Sequence, residues 1–108
     1  MNGDQMQYAN KMSLTLLEID EYLIEKKNPA YEVLKFDLVE TREHAMNLGF
    51  VYKIVFRYRG EVLYMNDNVE FGHDIYSEQY YENLEYDRSE FEFSQCQEVM
   101  VVDYEYKK

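Results

Sequence analysis

Ionisable side chains are densest in residues 73–93, HDIYSEQYYENLEYDRSEFEF, which hold seven carboxylates, one arginine and six aromatic rings. Two carboxylates can act together as general acid and base, as they do in glycoside hydrolysis. Acids two or four residues apart on an outer face are ordinarily solvated, however, and this chain has no signature of a deep cleft. We therefore expect no catalytic residue, and a protein that is not an enzyme.

Metal ligation and thiol chemistry find little support. The two histidines and the single cysteine fall in no C-x-x-C or H-x-x-x-H spacing. NDNVEFG places Asn66, Asn68 and Glu70 like the start of a calcium loop, but Phe71 stands where that loop needs glycine. Cys96 has acids nearby in sequence, which raise a thiol pKa and lower its reactivity. We expect a buried or incidental cysteine, no metal and no cofactor.

The net charge of −11 is unevenly distributed. Residues 1–60 contain nine acids and eight bases, whereas residues 61–108 contain thirteen acids and three bases. Such asymmetry indicates a binding partner. Direct nucleic-acid binding needs a basic footprint, which is absent, so the complementary partner is a basic protein surface. The other interpretation is that the acids serve only solubility.

A chain of 108 residues is expected to fold as one domain, residues 1–108, with a single core. Its lone cysteine can form no internal disulfide, which favours a reducing, intracellular compartment. The N-terminus lacks the pattern of a signal peptide, and no apolar run approaches the roughly 18 residues of a membrane span. We expect a cytoplasmic protein without a membrane partner.

The first element predicted is an N-terminal helix. Asp4 can cap it, with Gln7 at capping-box spacing, and Asn28-Pro29 ends it. Apolar residues recur every three or four positions and form one stripe: Ala9, Met12, Leu16, Ile19 and Leu23. We expect this helix to cover a sheet.

Strands follow the helix. Residues 31–41 alternate as a half-buried strand, 42–49 interrupt the chain and end in a turn glycine, and 50–58 form a second strand. Arg59-Gly60 predicts a tight turn into a third strand, EVLYM, which Asn66-Asp67-Asn68 then breaks.

Ser77 can cap a short helix over 78–86, with Glu78, Glu82 and Glu85 on one side and Tyr81 and Leu84 on the other. SEFEF and EVMVVDYEY then read as a closing hairpin, with Phe91 and Phe93 inward in the first of them and Met100, Val102, Tyr104 and Tyr106 on one face of the second. The predicted fold class is α+β: an N-terminal helix packed on an antiparallel sheet of four or five strands, with a short acidic helix near 77–86.

The acidic half predicts a surface that imitates a nucleic acid. Acids four apart on a helix are separated by about 6 Å along its axis, and acids two apart on a strand by about 6.6 Å. Such rows can stand in for phosphates, while exposed tyrosines (from Tyr76, Tyr80, Tyr81 and Tyr86) take the place of bases. The predicted partner-binding residues are Glu70, Asp74, Glu78, Tyr81, Glu82, Glu85, Asp87, Glu90 and Glu92.

This profile over residues 67–105 resembles the phage-encoded inhibitors that mimic DNA, among them anti-CRISPR, anti-restriction and uracil-glycosylase inhibitor proteins. The resemblance implies a non-enzymatic inhibitor that blocks a host defence enzyme, such as a CRISPR-associated nuclease, in the cytoplasm of a bacterial host cell. Two alternatives stay open. One is an immunity protein or antitoxin that neutralises a cognate nuclease toxin. The other is a small regulatory module that forms a homodimer or larger homo-oligomer through a helix stripe or a strand edge.

Overall fold

The structure, a computed structural model, describes residues 8–84, 86–99 and 103–107. Its strands are β1 (Lys11–Thr15), β2 (Tyr31–His44), β3 (Asn47–Tyr58), β4 (Val62–Phe71), β5 (Glu90–Val99) and β6 (Asp103–Tyr106). Helix α1 (Leu16–Glu18) continues as a π-helix (Ile19–Ile24), and α2 is Glu78–Asn83. No helix in these three stretches is long and apolar enough to cross a membrane.

The strands form an antiparallel sheet in the order β1-β5-β4-β3-β2, with β6 paired to β5. The architecture is therefore α+β-like, as expected, but the sheet has six strands in the described part of the chain instead of four or five. The additional strand is β1, formed by residues 11–15, which were expected to be helical.

Strand β3 runs through the middle of the β2-β3-β4 part of the sheet and defines its two faces. Its even-numbered residues, from Tyr52 to Tyr58, belong to the main hydrophobic cluster, and we call this side the core face. Lys53, Val55 and Arg57 point to the opposite side, the second face. The predicted alternation is confirmed, and so is the turn at Arg59-Gly60, where both residues have positive φ, 53° and 70°. Tyr58 pairs with Val62, so the connection has three residues, and the Glu61 N–H closes the turn on the Tyr58 carbonyl at 3.1 Å.

The prediction of an N-terminal helix is wrong. Residues 11–15 form β1, which pairs with β5 from Lys11 opposite Ser94 to Thr15 opposite Glu90. Met12 and Leu14 face the core, so the segment KMSLT also alternates with a period of two. Met12 fits both the helical spacing of three or four residues and the strand spacing of two. Pairing with β5 favours the strand. Asp4 and Gln7, the proposed cap, lie outside the described residues.

The helical segment begins instead at Thr15, which forms a capping box with Glu18. The Glu18 N–H donates to Thr15 Oγ1 at 3.1 Å, and the Thr15 N–H donates to Glu18 Oε1 at 2.9 Å. This exchange satisfies two of the N–H groups that a helix start leaves without partners. From there the predicted stripe holds, because Leu16, Ile19 and Leu23 are all buried.

The predicted interruption at 42–49 is also wrong. Strand β2 continues to His44, and a turn at Ala45-Met46 leads directly into β3. The register shifts at Leu34 and Val39 are β-bulges, each adding one residue to β2. Leu34 therefore packs on the second face, beside Val55 and Met65, instead of sharing a face with Phe36 and Leu38.

The predicted break at Asn66-Asp67-Asn68 is wrong, because strand β4 continues through these residues. The register between β3 and β4 shifts there, since Tyr52 pairs with Val69 and Ile54 pairs with Asn66. Three polar turn-forming residues thus produce a bulge, and the strand continues to Phe71. Pairing with β3 on one side outweighs the local preference for a turn.

The segment 16–24 and α2 cover the core face. Leu16, Ile19 and Leu23 contribute from the first, Tyr80 and Leu84 from the second, all within one cluster with the aromatic rows of β3, β4 and β5. On the second face, Tyr104 of β6 packs against a smaller cluster that includes Cys96. Met100 and Val102, which were expected to share its face, lie outside the described residues.

Candidate protein-binding surface

Helix α2 is held by the turn that precedes it. As predicted, Ser77 caps the helix: its Oγ accepts the Tyr80 N–H at 3.3 Å and donates to the Asp74 carbonyl at 2.7 Å. The Ser77 N–H donates to that same carbonyl at 2.9 Å. The acidic residue Glu78 lies in the first turn, where a carboxylate is favoured. The helix ends at Asn83, three residues before the predicted end.

Tyr80 fixes the inner side of α2 and is not available to a partner. Its side chain is buried, its ring centroid lies 5.9 Å from that of Phe71, and its hydroxyl donates to Asp20 Oδ1 at 3.1 Å. Burial raises the pKa of the Asp20 carboxyl, while the Tyr80 hydrogen bond works in the opposite direction. Burial and the nearby Asp20 charge raise the pKa of Tyr80. The hydrogen bond between the Tyr80 hydroxyl and Asp20 thus joins α2 to the π-helix on the core face.

Three other tyrosines of this region do reach solvent. The exposed fractions are 87% for Tyr76, 50% for Tyr81 and 78% for Tyr86. An exposed phenol ring retains a large apolar surface and a polar tip, which is why tyrosine is frequent at protein interfaces. Of the four tyrosines expected as anchors, three therefore remain suitable and Tyr80 does not.

Carboxylates surround these rings without cationic partners. Glu78 and Glu82 are exposed on α2, and the half-buried Asp74 and Asp87 flank it. No Lys, Arg or His nitrogen of the described residues lies within 4.0 Å of any of the four. We call these carboxylates, together with Tyr76, Tyr81 and Tyr86, the α2 surface.

Two of the carboxylates are held by backbone groups. Asp74 Oδ1 accepts the Tyr76 N–H at 2.9 Å, and Asp87 Oδ1 accepts the Ser89 N–H at 2.8 Å. Each is a local turn in which an aspartate side chain bonds to the backbone two residues on. The second oxygen of each carboxylate is left for a further contact, so the turns order the charges without neutralising them.

Glu70 belongs to a different environment. It lies on the second face, where Oε1 accepts from Arg42 Nη1 at 3.2 Å and Oε2 is 2.8 Å from His44 Nε2. Gly49 makes room for this carboxylate, because a Cβ at that position would lie 2.5 Å from Oε2. Residues of the β2-β3 hairpin thus compensate the negative charge of Glu70. The position of Glu70 near Asp74 in the sequence does not reveal this.

Glu90 and Glu92 also lie on the second face. They alternate with Phe91 and Phe93, which point into the core as predicted, and they pair with Thr15 and Ser13 of β1. Glu92 forms an ion pair with Lys11 at 3.3 Å. Because α2 covers the core face, the sheet separates these two acids from Glu78 and Glu82.

The predicted residues therefore fall into separate groups. Asp74, Glu78, Tyr81, Glu82 and Asp87 are together around α2, whereas Glu70 and the pair on β5 are on the other side of the sheet. Glu85 lies outside the described residues. Alternation along β5 could have separated Glu90 and Glu92 from α2 in advance, but the pairing of Glu70 with Arg42, 28 positions away, could not be foreseen.

The side chain of Asn66 in the calcium-like segment bonds to other groups of the chain, and Cys96 is buried. Asn66 Oδ1 accepts the Asn68 N–H at 2.7 Å and its Nδ2 donates to the Glu92 carbonyl at 2.9 Å. Among the residues that the structure describes, no group of three His, Cys, Asp or Glu side chains could hold a metal ion. Burial raises the pKa of the Cys96 thiol to about 11, and the nearest charges, those of lysines, act in the opposite direction. Desolvation, and not the acids near it in sequence, accounts for that shift.

Comparisons with known proteins add no relative. No protein-family model matches the sequence, and neither the curated proteins nor the solved structures gave a significant match.

Proposed function

We propose that this chain is a non-enzymatic inhibitor whose α2 surface occupies the nucleic-acid-binding site of a basic enzyme, in the manner of the anti-CRISPR and anti-restriction proteins that mimic DNA. The partner is a protein with a Lys- and Arg-lined groove, such as a CRISPR-associated nuclease. Neither a cofactor nor a bound nucleic acid takes part.

The contrast in charge compensation carries this proposal. On the second face, Glu70, Glu92 and Asp103 are each within ion-pair distance of a cationic nitrogen, although Glu90 has none that close among the described residues. Around α2, the carboxylates have no such neighbour in the described chain. Uncompensated like charges repel one another and cost stability. A cationic partner removes that cost, so the unpaired group is the one that gains most from binding.

The spacing of the α2 surface fits a groove made for a polyanion. Glu78 and Glu82 are one helical turn apart, about 6 Å along the axis, a spacing comparable with that of successive phosphates. Tyr76, Tyr81 and Tyr86 offer aromatic faces on which Arg side chains or aromatic rings can stack, as bases do. Displacement of small counterions from both surfaces favours the complex at low salt.

The test is affinity capture from a bacterial lysate freed of nucleic acid by nuclease digestion. Immobilised wild-type chain is compared with Glu78→Lys/Glu82→Lys, and bound proteins are eluted with a defined DNA duplex. We expect a nucleic-acid-processing enzyme that the duplex elutes from the wild type and that the variant does not retain. Glu61→Lys/Glu105→Lys, which changes two exposed acids far from α2 by the same total charge, is the matched control and retains the enzyme.

The other outcomes are equally informative. If no DNA-displaceable protein binds, or if both double variants retain it equally, the α2 surface does not imitate nucleic acid. Recovery of a nuclease toxin would place the chain among immunity proteins, which use the same charges against another partner.

A further inference from the structure

The β2-β3 hairpin projects beyond the rest of the sheet. Phe71, the last residue of β4, pairs with Phe50, so the β3 residues before Phe50 have only β2 beside them. We call residues 36–52 the hairpin arm. Leu48 at its outer part and His73, in the segment that leads to α2, line one open depression of about 390 Å³ together with Gly49 and Glu70. The outer part of the arm thus lies beside the segment that leads to α2.

The core face of the arm is incompletely covered, and it carries the exposed Thr41 and Glu43 beside its apolar residues. Along β3 the residues on this face change from the buried Tyr52 through the partly buried Phe50 to Leu48, which is 42% exposed. On β2, Leu38 lies opposite Tyr52 and is 51% exposed. The helical layer that covers the core face therefore ends before the sheet does. We call the uncovered part, Phe36, Leu38, Leu48 and Phe50, the apolar strip.

All cationic side chains of the arm lie on its other face. These are Arg42 and His44, and both contact Glu70 there. Two acids lie next to the strip: Glu43, opposite Leu48 on the core face, and Asp74, whose charge acts on Tyr52 at the base of the arm. Neither has a cationic nitrogen within 4.0 Å among the described residues. The strip is thus an apolar surface bordered by uncompensated negative charge.

We propose that the apolar strip binds one side of a cationic amphipathic helix of the partner protein, whose Lys and Arg side chains contact Glu43, Asp74 and the carboxylates of α2. This inference rests on the proposed function and names the part of the partner that is recognised. A sheet buries its apolar face against helices, and the strip is the portion of this face that the chain's own helices leave open. A helix with apolar residues three and four apart matches such a site.

Charge decides between this occupant and a second copy of the chain. Each copy carries a net charge of −11, and pairing two strips would bring their acidic borders together. Like charges placed opposite one another oppose association. A cationic helix instead places opposite charges there.

Two synthetic peptides test the inference by titration calorimetry at low salt. The first has 18 residues of Leu and Lys arranged to form one apolar and one cationic helical face. The second has Ser in place of every Leu and the same charge. We expect Leu38→Ser/Leu48→Ser to weaken binding of the first peptide at least about tenfold, because two half-exposed leucines lose the surface that they would bury. Binding of the second peptide is unchanged.

Matched variants separate this inference from the proposed function. Leu17→Ser alters a leucine of equal exposure, 41%, outside the arm, and leaves both affinities unchanged. Glu78→Lys/Glu82→Lys weakens both peptides. If Leu38→Ser/Leu48→Ser binds the first peptide as the wild type does while the charge variant still fails, the strip is not a docking site and the proposed function stands. If the charge variant also binds normally, both proposals fail.

A measurement on the unaltered chain guards against misfolded variants. In NMR titrations the first peptide is expected to shift the amide signals of residues 36–38 and 48–50 as well as those of α2. Shifts confined to α2 would overturn the inference. Sedimentation tests whether two copies of the chain associate through the strip. If the wild type is a dimer and Leu38→Ser/Leu48→Ser is a monomer, the strip binds a second copy and the proposal is overturned.

Discussion

Tyr80→Phe removes a single hydroxyl from the core and leaves the ring in place. That hydroxyl donates to the buried carboxylate of Asp20 at 3.1 Å, and no other side chain of the described residues donates to this carboxylate. The hydrogen bond joins α2 to the π-helix, which are the two elements that cover the core face. The substitution therefore tests whether this contact stabilises the layer that presents the α2 surface.

The magnitude follows from the burial of Asp20, which is only 4% exposed. Leaving a buried acceptor without its donor costs about 1–3 kcal/mol, and the upper part of that range applies to a charged group. We expect a loss of about 2 kcal/mol at pH 7, or roughly 8 °C in Tm for a domain of this size. Affinity for a cationic partner should change little, since Tyr80 is buried.

The destabilisation caused by Tyr80→Phe should depend on pH, because Asp20 titrates. Burial raises the pKa of Asp20 above its ordinary value, so its contribution to stability is complete below the unfolded pKa and is lost as the pH rises through the folded pKa. Without the Tyr80 donor, ionisation inside the core becomes still less favourable. The difference in stability between wild type and Tyr80→Phe should therefore be about 1 kcal/mol near pH 3, where the acid is neutral, and about twice that at pH 7.

Urea unfolding followed by circular dichroism at both pH values measures these differences. Asp20→Asn is the control, because an amide oxygen accepts the same bond without ionising. In that background Tyr80→Phe should cost the same at both pH values. Two results would refute this explanation. One is a Tyr80→Phe variant as stable as the wild type, and the other is a loss of stability that does not depend on pH when Asp20 is unchanged.

Three further predictions concern the second face. Gly49→Ala should destabilise the chain by at most about 1 kcal/mol in urea unfolding, because the Glu70 carboxylate must move away from the new Cβ and so from Arg42 and His44. Gly72→Ala, which has open space around it, should not destabilise the chain, and an equal effect of the two would contradict this. The hydrogen bond from Lys53 lowers the pKa of Asp103, so Asp103→Asn should lower Tm at pH 7. This loss should shrink as the pH falls through the folded pKa, and a loss that is the same in acid as at pH 7 would argue against the ion pair. Cys96 is buried with its pKa raised to about 11, so its alkylation by iodoacetamide at pH 8 should be much slower than that of the urea-unfolded chain, and equal rates would show that the thiol is accessible.

The features that depend only on neighbouring residues could be predicted from the sequence. The alternation of FVYKIVFRY over β3, the Arg59-Gly60 turn and the Ser77 cap each depend on a few adjacent residues, and each is found where expected. The inward direction of Phe91 and Phe93 follows from the same period of two.

The N-terminus shows where local patterns stop being sufficient. Met12, Leu16, Ile19 and Leu23 fit a helical stripe, yet the chain changes from strand to helix between Leu14 and Leu16. Pairing of residues 11–15 with β5, some eighty positions later, decides the first part. The Thr15-x-x-Glu18 capping box was a local signal for the true helix start, but the longer stripe concealed it.

The acidic surface shows a similar limit. Acids and tyrosines are concentrated in residues 73–93, and five of the predicted binding residues lie around α2. Charge compensation is a tertiary property, however. Arg42 neutralises Glu70 from another strand, and Tyr80 turns inward because Asp20 and Phe71 receive it. No spacing in the sequence reports such contacts.

Displacement of DNA from the captured enzyme tests the central claim most directly. A fluorescently labelled duplex bound to that enzyme is titrated with the wild-type chain, and anisotropy reports its release. We predict complete release at about one chain per binding site, and little release by Glu78→Lys/Glu82→Lys at the same concentration. Duplex that stays bound at saturating wild-type chain, or that both proteins release equally, would contradict the claim that the carboxylates of α2 take the place of phosphates.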